Sequence, residues 1–495
     1  MMVMPMDGVI ERFARADTDG RLEIARDDRN RQALSAMLGE EAYAELRSLA
    51  KRAAGAYLAG GGPKNLIFVP GVMGTLLMNR SLAGIWWIDV RTREYIDRLK
   101  LSPDGTKDAD EASDVAPATA DITYFPFLTA ASARDGVYHQ TFPYDWRKSF
   151  LHSTIALRDR VLELHQNSGK KKIDIVAHSM GGLMVRTALM EHGAAIWPAI
   201  GKIVFVGTPH YGATAIAGYL KNHLWGFDLM ALLGRYLSRE TLRSLWGVLS
   251  LLPAPRGIYP GTRPDDPHPW KSGAPDDPYV HPCANFDMYD ARAWKLELDD
   301  EATKQLQTVL DAAADLHRCL YKAHNALDQE KRDKMIVIAG VGYKTLFRLA
   351  YAPAFLGMWE KTAKTFDLVP NDPHRQGDGR VPLASALLEN VGDIRYVRGV
   401  HGGLTNIPAV YDDIFRCLRG ETMTLPKTAA GALSSHLAGG SESEAPHLDG
   451  SHVAPEAPDD PRLWDLAHPP AERMQELTEL LESDRLPAFA RLHLL

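Results

Sequence analysis

Cysteine is scarce in this chain: 495 residues carry three, Cys283, Cys319 and Cys417, far apart from one another. They are too few for a disulfide framework and wrongly spaced for a zinc finger, which favours a reducing compartment. Long apolar runs are missing too. No segment approaches the roughly 18 uninterrupted apolar residues of a transmembrane helix. The first twenty residues lack the basic and apolar regions of a secretory signal, since Pro5, Asp7 and Glu11 interrupt them. The expected address is cytoplasmic. Positive charge is not in excess either: 56 Lys and Arg face 63 Asp and Glu, a formal net charge of −7. A protein that neutralises a phosphate backbone needs the opposite sign, so no nucleic-acid partner is expected. The 45% hydrophobic and 24% charged content is ordinary for a globular chain, which excludes wholesale disorder and collagen-like repeats. At about 100–200 residues per domain, length alone leaves room for several domains.

The pattern along the chain is uneven. Leu34, Met37, Leu38, Leu46, Leu49, Ala53 and Tyr57 recur at helical spacing until Gly60-Gly61-Gly62-Pro63 stops them. Asn65–Val69 is then a short apolar run ending in Pro70-Gly71, a strand feeding a tight turn. Similar runs at Ile173–Ala177, Ile203–Gly207, Met335–Val341 and Ile394–Val397 alternate with helical patterns such as Ile155–Gln166 and Gly182–Glu191. Such alternation predicts an α/β fold, with a mostly parallel sheet covered on both faces. The 127 residues from Thr208 to Lys334 exceed any simple crossover, so a large helical insertion is expected over the sheet. Its first part, Leu220–Leu252, is strongly apolar and reads as a cap or as core. Lys427–Arg462 has no aromatic residue and the composition of a linker. Beyond it Met474, Leu477, Leu480 and Leu481 form one helical stripe. The expected organisation is a helical extension (1–62), a catalytic domain (63–420, insertion about 209–334), a flexible linker (421–462) and a helical tail (463–495).

The sharpest chemical signal is Ala177-His178-Ser179-Met180-Gly181-Gly182, between a strand pattern and a helix pattern. A nucleophile elbow needs that setting, with small residues two before and two after a serine on a strained turn. Here those residues are Ala177 and Gly181. A serine hydroxyl needs a base, and the base an orienting acid, in the chain order Ser, acid, His. Asp378, between Gly377 and Gly379, and His401, after the last strand run, supply that order. Asp372 is a rival acid. His178 is expected to pack, and His210, His268 and His281 to be surface or cap residues. Asp372, His374 and Asp378 read as a plain turn rather than a metal site, and no cofactor is expected. Oxyanion donors are expected from the backbone N–H of Met180 and from the turn Pro70-Gly71-Val72-Met73-Gly74, with Met73 preferred over Val72.

These motifs also carry a resemblance. Val69–Gly74, Pro143-Tyr144-Asp145-Trp146-Arg147, the serine elbow, Gly-Asp-Gly before Val381-Pro382, and His401-Gly402 together resemble the lecithin:cholesterol acyltransferase family, in order, over about Lys64 to Gly420. The resemblance implies an α/β-hydrolase core, a triad of Ser179, Asp378 and His401, oxyanion donors at Met73 and Met180, and an acyl-ester lipid substrate beneath a mobile lid. It puts the apolar Leu220–Leu252 stretch in the place of that lid. Trp86, Trp87, Trp225 and Leu229 are the candidate substrate-binding residues. Hydrolysis by a lipase or phospholipase and transfer to an alcohol both remain open. So do a thioesterase or small-ester esterase, and a partner-regulated protein with an idle core. Transient membrane contact through the cap, and a protein partner or self-association through the tails, complete the expectations.

Overall fold

The computed structural model describes residues 8–51 in part, then 65–220, 237–262, 286–351, 363–366 and 377–438, apart from isolated positions. The strands in chain order are β1 (Leu66–Val69), β2 (Thr75–Asn79), β3 (Ile85–Trp87), β4 (Val115–Ala120) and β5 (His139–Thr141), then β6 (Ile173–His178) and β7 (Ile200–Val206). After the insertion come β8 (Met335–Val341), β9 (Arg348–Tyr351), β10 (Ala363–Phe366) and β11 (Asp393–Arg398). Six of them form one fully parallel sheet in the order β11-β8-β7-β6-β1-β5. The five apolar runs of the sequence all lie in it. The sixth strand, His139-Gln140-Thr141, is short and polar and carried no such signal. β2, β3 and β4 make a small antiparallel sheet, and β9 pairs with β10.

All four residues of β1 and all seven of β8 are buried, as both-faced coverage requires. Alternate side chains go to opposite faces. Ile67, Val69, Ile175, Ala177, Ile203 and Phe205 join one apolar cluster, while Leu66, Phe68, Val176, Val204 and Val206 join the other. Helices cover both. With α1 (Thr18–Arg26) and α2 (Arg31–Leu38) preceding the sheet, α3 (Phe125–Ser132) packs Phe127 and Leu128 on the second face. On the first face lie α4 (Leu151–Asn167), through Leu157 and Val161, and α5 (Met180–Ile196), through Leu183 and Met184. The result is the α/β-hydrolase fold: a parallel sheet between two helical layers.

The insertion between β7 and β8 contains α6 (Thr214–Leu220), α7 (Arg239–Ser244), α8 (Trp246–Leu249) and α9 (Asp300–Asn325). The 26-residue α9 is capped by Asp299, whose carboxylate accepts the Ala302 N–H at 2.8 Å. It packs on α5 and buries Leu306, Leu310 and Leu320 in the main core, so the end of the insertion serves as an ordinary sheet-covering helix. Leu245, Leu249, Leu251 and Leu252 belong to that same core. The described half of the apolar Leu220–Leu252 stretch is therefore interior; Trp225 and Leu229 lie outside the described residues.

After β11, α10 (Pro408–Leu418) covers the second face, and the chain stays folded past the expected domain limit at 420. Met423 and Leu425 are buried, and the buried Asp413 carboxylate accepts the Thr424 and Leu425 N–H groups at 2.7 and 2.6 Å. α11 (Ala429–Ala438) then packs against β11. The linker expectation is thus corrected for 421–438: averaged composition hides two apolar anchors and an internal carboxylate. Residues 439–495, with the expected tail helix, lie outside the described residues. Among the described residues no helix is long and apolar enough to cross a membrane.

Candidate active site

From β1 the chain crosses to β5 on one side and to β6 on the other. Ligands of open α/β sheets bind at such a reversal, outside the carboxyl ends of the strands. Ser179 sits there, between β6 and α5, with φ 53° and ψ −129°. Few side-chain-bearing residues adopt that conformation, and it is held because the Ser179 N–H bonds to Val206 O at 2.9 Å and Gly182 N–H returns to Ser179 O at 3.0 Å. A Cβ on Gly181 would come within 2.5 Å of the carbonyl oxygens of Val69 and Pro70. Only glycine lets helix and loop approach so closely.

Asp378 and His401 meet the serine. His401 Nε2 is 2.8 Å from Ser179 Oγ, and His401 Nδ1 is 2.7 Å from Asp378 Oδ2. The other Asp378 oxygen accepts the Arg380 and Val381 N–H groups at 3.0 and 2.7 Å, and its main-chain carbonyl accepts the His401 N–H at 2.8 Å. Carboxylate and imidazole are thereby fixed twice over. Ser179 and Asp378 are buried, and the His401 side chain keeps 14% exposure. The rival Asp372, with His374, lies outside the described residues.

The turn before β2 runs directly over the serine: a Cβ on Gly71 would lie 2.8 Å from Ser179 Cβ. Gly74 N–H closes the turn on Gly71 O at 3.1 Å, and Met73 takes φ 59°, the left-handed value such a turn demands at its third residue. Met180 is the first residue of α5, so its N–H has no carbonyl one turn back within the helix. Three side chains brace the turn. Tyr144 Oη donates to Pro70 O, Trp146 Nε1 to Thr75 O and Trp87 Nε1 to Met73 O, each at 3.1 Å. In the same tetrapeptide Arg147, wholly buried, is ion-paired to Asp145 at 2.7 Å and to Asp108 at 2.8 Å. The Tyr-Asp-Trp-Arg segment thus clips the turn to the sheet, a role its residue types did not announce.

Trp86 and Trp87, expected against substrate, are both buried in the main core. Trp86 stacks on Tyr95 at 5.1 Å and Trp87 packs edge-on to Trp146 at 5.1 Å. Of the two, Trp87 supports the turn, through its bond to Met73 O. His210, expected as a surface or cap residue, is fully buried beside Phe205, and burial pushes its imidazole well below its usual range. His178 is buried and neutral, its pKa lowered by desolvation to about 3. His268 and His281 lie outside the described residues. Among the described residues no three His, Cys, Asp or Glu side chains are grouped to hold a metal ion.

A family model described as lecithin:cholesterol acyltransferase matches residues 135–258, from before β5 through the serine elbow into the insertion. This segment resembles that family. No curated protein matches the chain in sequence. Among solved structures, a chain of the Tle4–Tli4 complex is similar at 14% identity and TM-score 0.44, covering 72% of this chain and 98% of that one. The mature form of Bacillus licheniformis lipase BlEst2 has 13% identity and TM-score 0.35, covering 72% and 93%. For 2-hydroxy-6-oxo-6-phenylhexa-2,4-dienoate hydrolase from Rhodococcus sp. strain RHA1 the values are 10% and 0.25, covering 72% and 91%.

Proposed function

We propose that this protein is a serine hydrolase or O-acyltransferase that cleaves an acyl ester of a lipid through an acyl-enzyme on Ser179. The observation that carries the reading is the continuous hydrogen-bonded chain from Ser179 Oγ through the His401 ring to Asp378. In this reading Ser179 Oγ attacks the ester carbonyl as His401 Nε2 takes its proton, and Asp378 stabilises the imidazolium. The N–H groups of Met73 and Met180 receive the oxyanion; one such donor contributes about 2.7–4 kcal/mol. Collapse breaks the ester C–O bond, the alcohol leaves with the proton from His401, and the acyl group stays on Ser179. Water or a second alcohol, deprotonated by His401, then releases it. The match of residues 135–258 supports a lipid-type ester as substrate.

A fluorophosphonate probe, followed by p-nitrophenyl esters of increasing chain length and detergent-dispersed phospholipid, tests the proposal. The wild type is expected to label, Ser179→Ala to label not at all, and turnover to rise with acyl length. Labelling that survives Ser179→Ala removes this nucleophile. A preference for acetate with no activity on micelles removes the lipid, and an unlabelled wild type favours the idle core.

A further inference from the structure

His178 precedes the serine yet takes no part in the chain of bonds just described, and its ring has two polar contacts. Nε2 lies 2.9 Å from the main-chain oxygen of His401, and Nδ1 lies 2.8 Å from Tyr124 Oη. Tyr124 Oη in turn accepts the Gly71 N–H at 2.9 Å. Proton positions follow from the partners. A carbonyl oxygen only accepts, so Nε2 carries the hydrogen. Burial keeps the ring neutral at physiological pH, so Nδ1 is bare and must accept from the Tyr124 hydroxyl. Burial likewise holds that phenol protonated well above its ordinary range. All three bonds therefore run one way: Gly71 N–H to Tyr124, Tyr124 O–H to His178, His178 Nε2–H to His401 C=O.

The two ends of this relay are the two parts of the site that must agree in position. Gly71 opens the turn that presents Met73, and His401 is the base; they lie 330 residues apart and share no direct hydrogen bond among the described contacts. Tyr124 also fills the hollow of the turn, since a Cβ on Gly74 would fall 2.7 Å from its hydroxyl. We propose that Tyr124 and His178 are positioning residues that set the oxyanion turn and the His401 main chain in register across Ser179. This rests on the reading of Ser179 and His401 as nucleophile and base. Such residues act on the transition state, where a shift of about 1 Å costs on the order of 100-fold, and leave ground-state binding untouched.

The first test is Tyr124→Phe, which removes one oxygen and leaves the ring packed against Phe68. The expected result is a kcat lower by roughly 10- to 100-fold with KM within about twofold, and a parallel fall in the fluorophosphonate rate constant. His178→Gln, whose amide N–H reaches toward the His401 carbonyl, is expected to retain more kcat than His178→Leu. The double variant Tyr124→Phe/His178→Leu should lose no more than the worse single one, because one relay is broken once. A kcat within twofold of wild type for Tyr124→Phe, a loss confined to KM, or simple additivity overturns the proposal. Nitrogen-15 NMR of the histidine rings needs no substrate. His178 protonated at Nδ1, or at both nitrogens, at pH 7 overturns the relay itself, whereas activity persisting in Ser179→Ala removes Ser179 as nucleophile and with it the catalytic role of the relay, but not its hydrogen bonds.

Discussion

Acidification offers a quantitative check on the interior. Three fully buried histidines, His178, His210 and His317, are held neutral by desolvation, with folded values lowered from 6.5 to about 3 for His178 and to about 4 for His317, and well below normal for His210. Asp174 is the counterweight, its carboxyl raised from 3.8 to about 6 by burial. In the unfolded chain each imidazole takes up a proton near pH 6.5; in the folded chain none does until far lower. Their support for folding is therefore complete above pH 6.5 and is lost as the pH falls below it. Asp174 acts in the opposite sense, because its folded form keeps a proton that the unfolded chain releases at 3.8. Between pH 7 and 5 His178 and His317 each cost about 2 kcal/mol and Asp174 returns about 1, a net loss of about 3 kcal/mol, to which His210 adds in the same direction. Because the folded values of His178 and His317 lie below 5, their part is set almost wholly by their unfolded value. Against a total stability of about 5–15 kcal/mol the change is large. Urea denaturation followed by tryptophan fluorescence at pH 7, 6 and 5 is expected to show the midpoint falling at each step. His317→Gln keeps a donor for Leu252 O, which His317 Nε2 contacts at 2.9 Å, and should reduce the loss between pH 7 and 5 by about 2 kcal/mol. An unchanged midpoint from pH 7 to 5, or a His317→Gln variant with the parent's slope, would refute the reasoning.

Gly181→Ala places a methyl group 2.5 Å from the Val69 and Pro70 oxygens; displacement of the adjoining turn should lower kcat on a soluble ester about 100-fold. Calorimetry should also show that variant about 1–3 kcal/mol less stable. Arg147→Met leaves Asp108 and Asp145 without their shared cation and should cost about 3–5 kcal/mol in a denaturant titration. Asp378→Asn keeps its oxygen on the Arg380 and Val381 N–H groups, so the amide NH2 faces His401 and forces the wrong tautomer. Its kcat should fall about 10⁴-fold with KM little changed.

The sheet and the geometry of the candidate site were both legible in the residues, for different reasons. β1, β6, β7 and β8 announce themselves because strands buried on both faces must be apolar throughout. Ser179 and Asp378 announce themselves because a strained turn and a tight loop demand small neighbours, and His401 follows the last strand run. Tyr124, Trp87 and Tyr144 gave no such sign as supports of the turn: an aromatic residue packs the same whether or not its polar end happens to meet a carbonyl. His210 misled because local composition says nothing about what the insertion later covers. Met423 and Leu425 misled because two anchors are enough to hold a chain whose average composition is that of a linker.

The ladder of parallel strands also puts a clock on the activity during synthesis. Ser179 and His401 are separated by 222 residues, and β7, β8 and β11 must pair in between. At roughly 5–20 residues per second, the ribosome needs about 10–45 s to supply His401 after it has supplied Ser179. Through that interval Ser179 is without its His401 hydrogen-bond partner. Long-range parallel pairing is slow as well, since loop closure must precede its reward. On the proposed reading, a centre built this way stays silent in nascent chains and in any fragment cut ahead of His401.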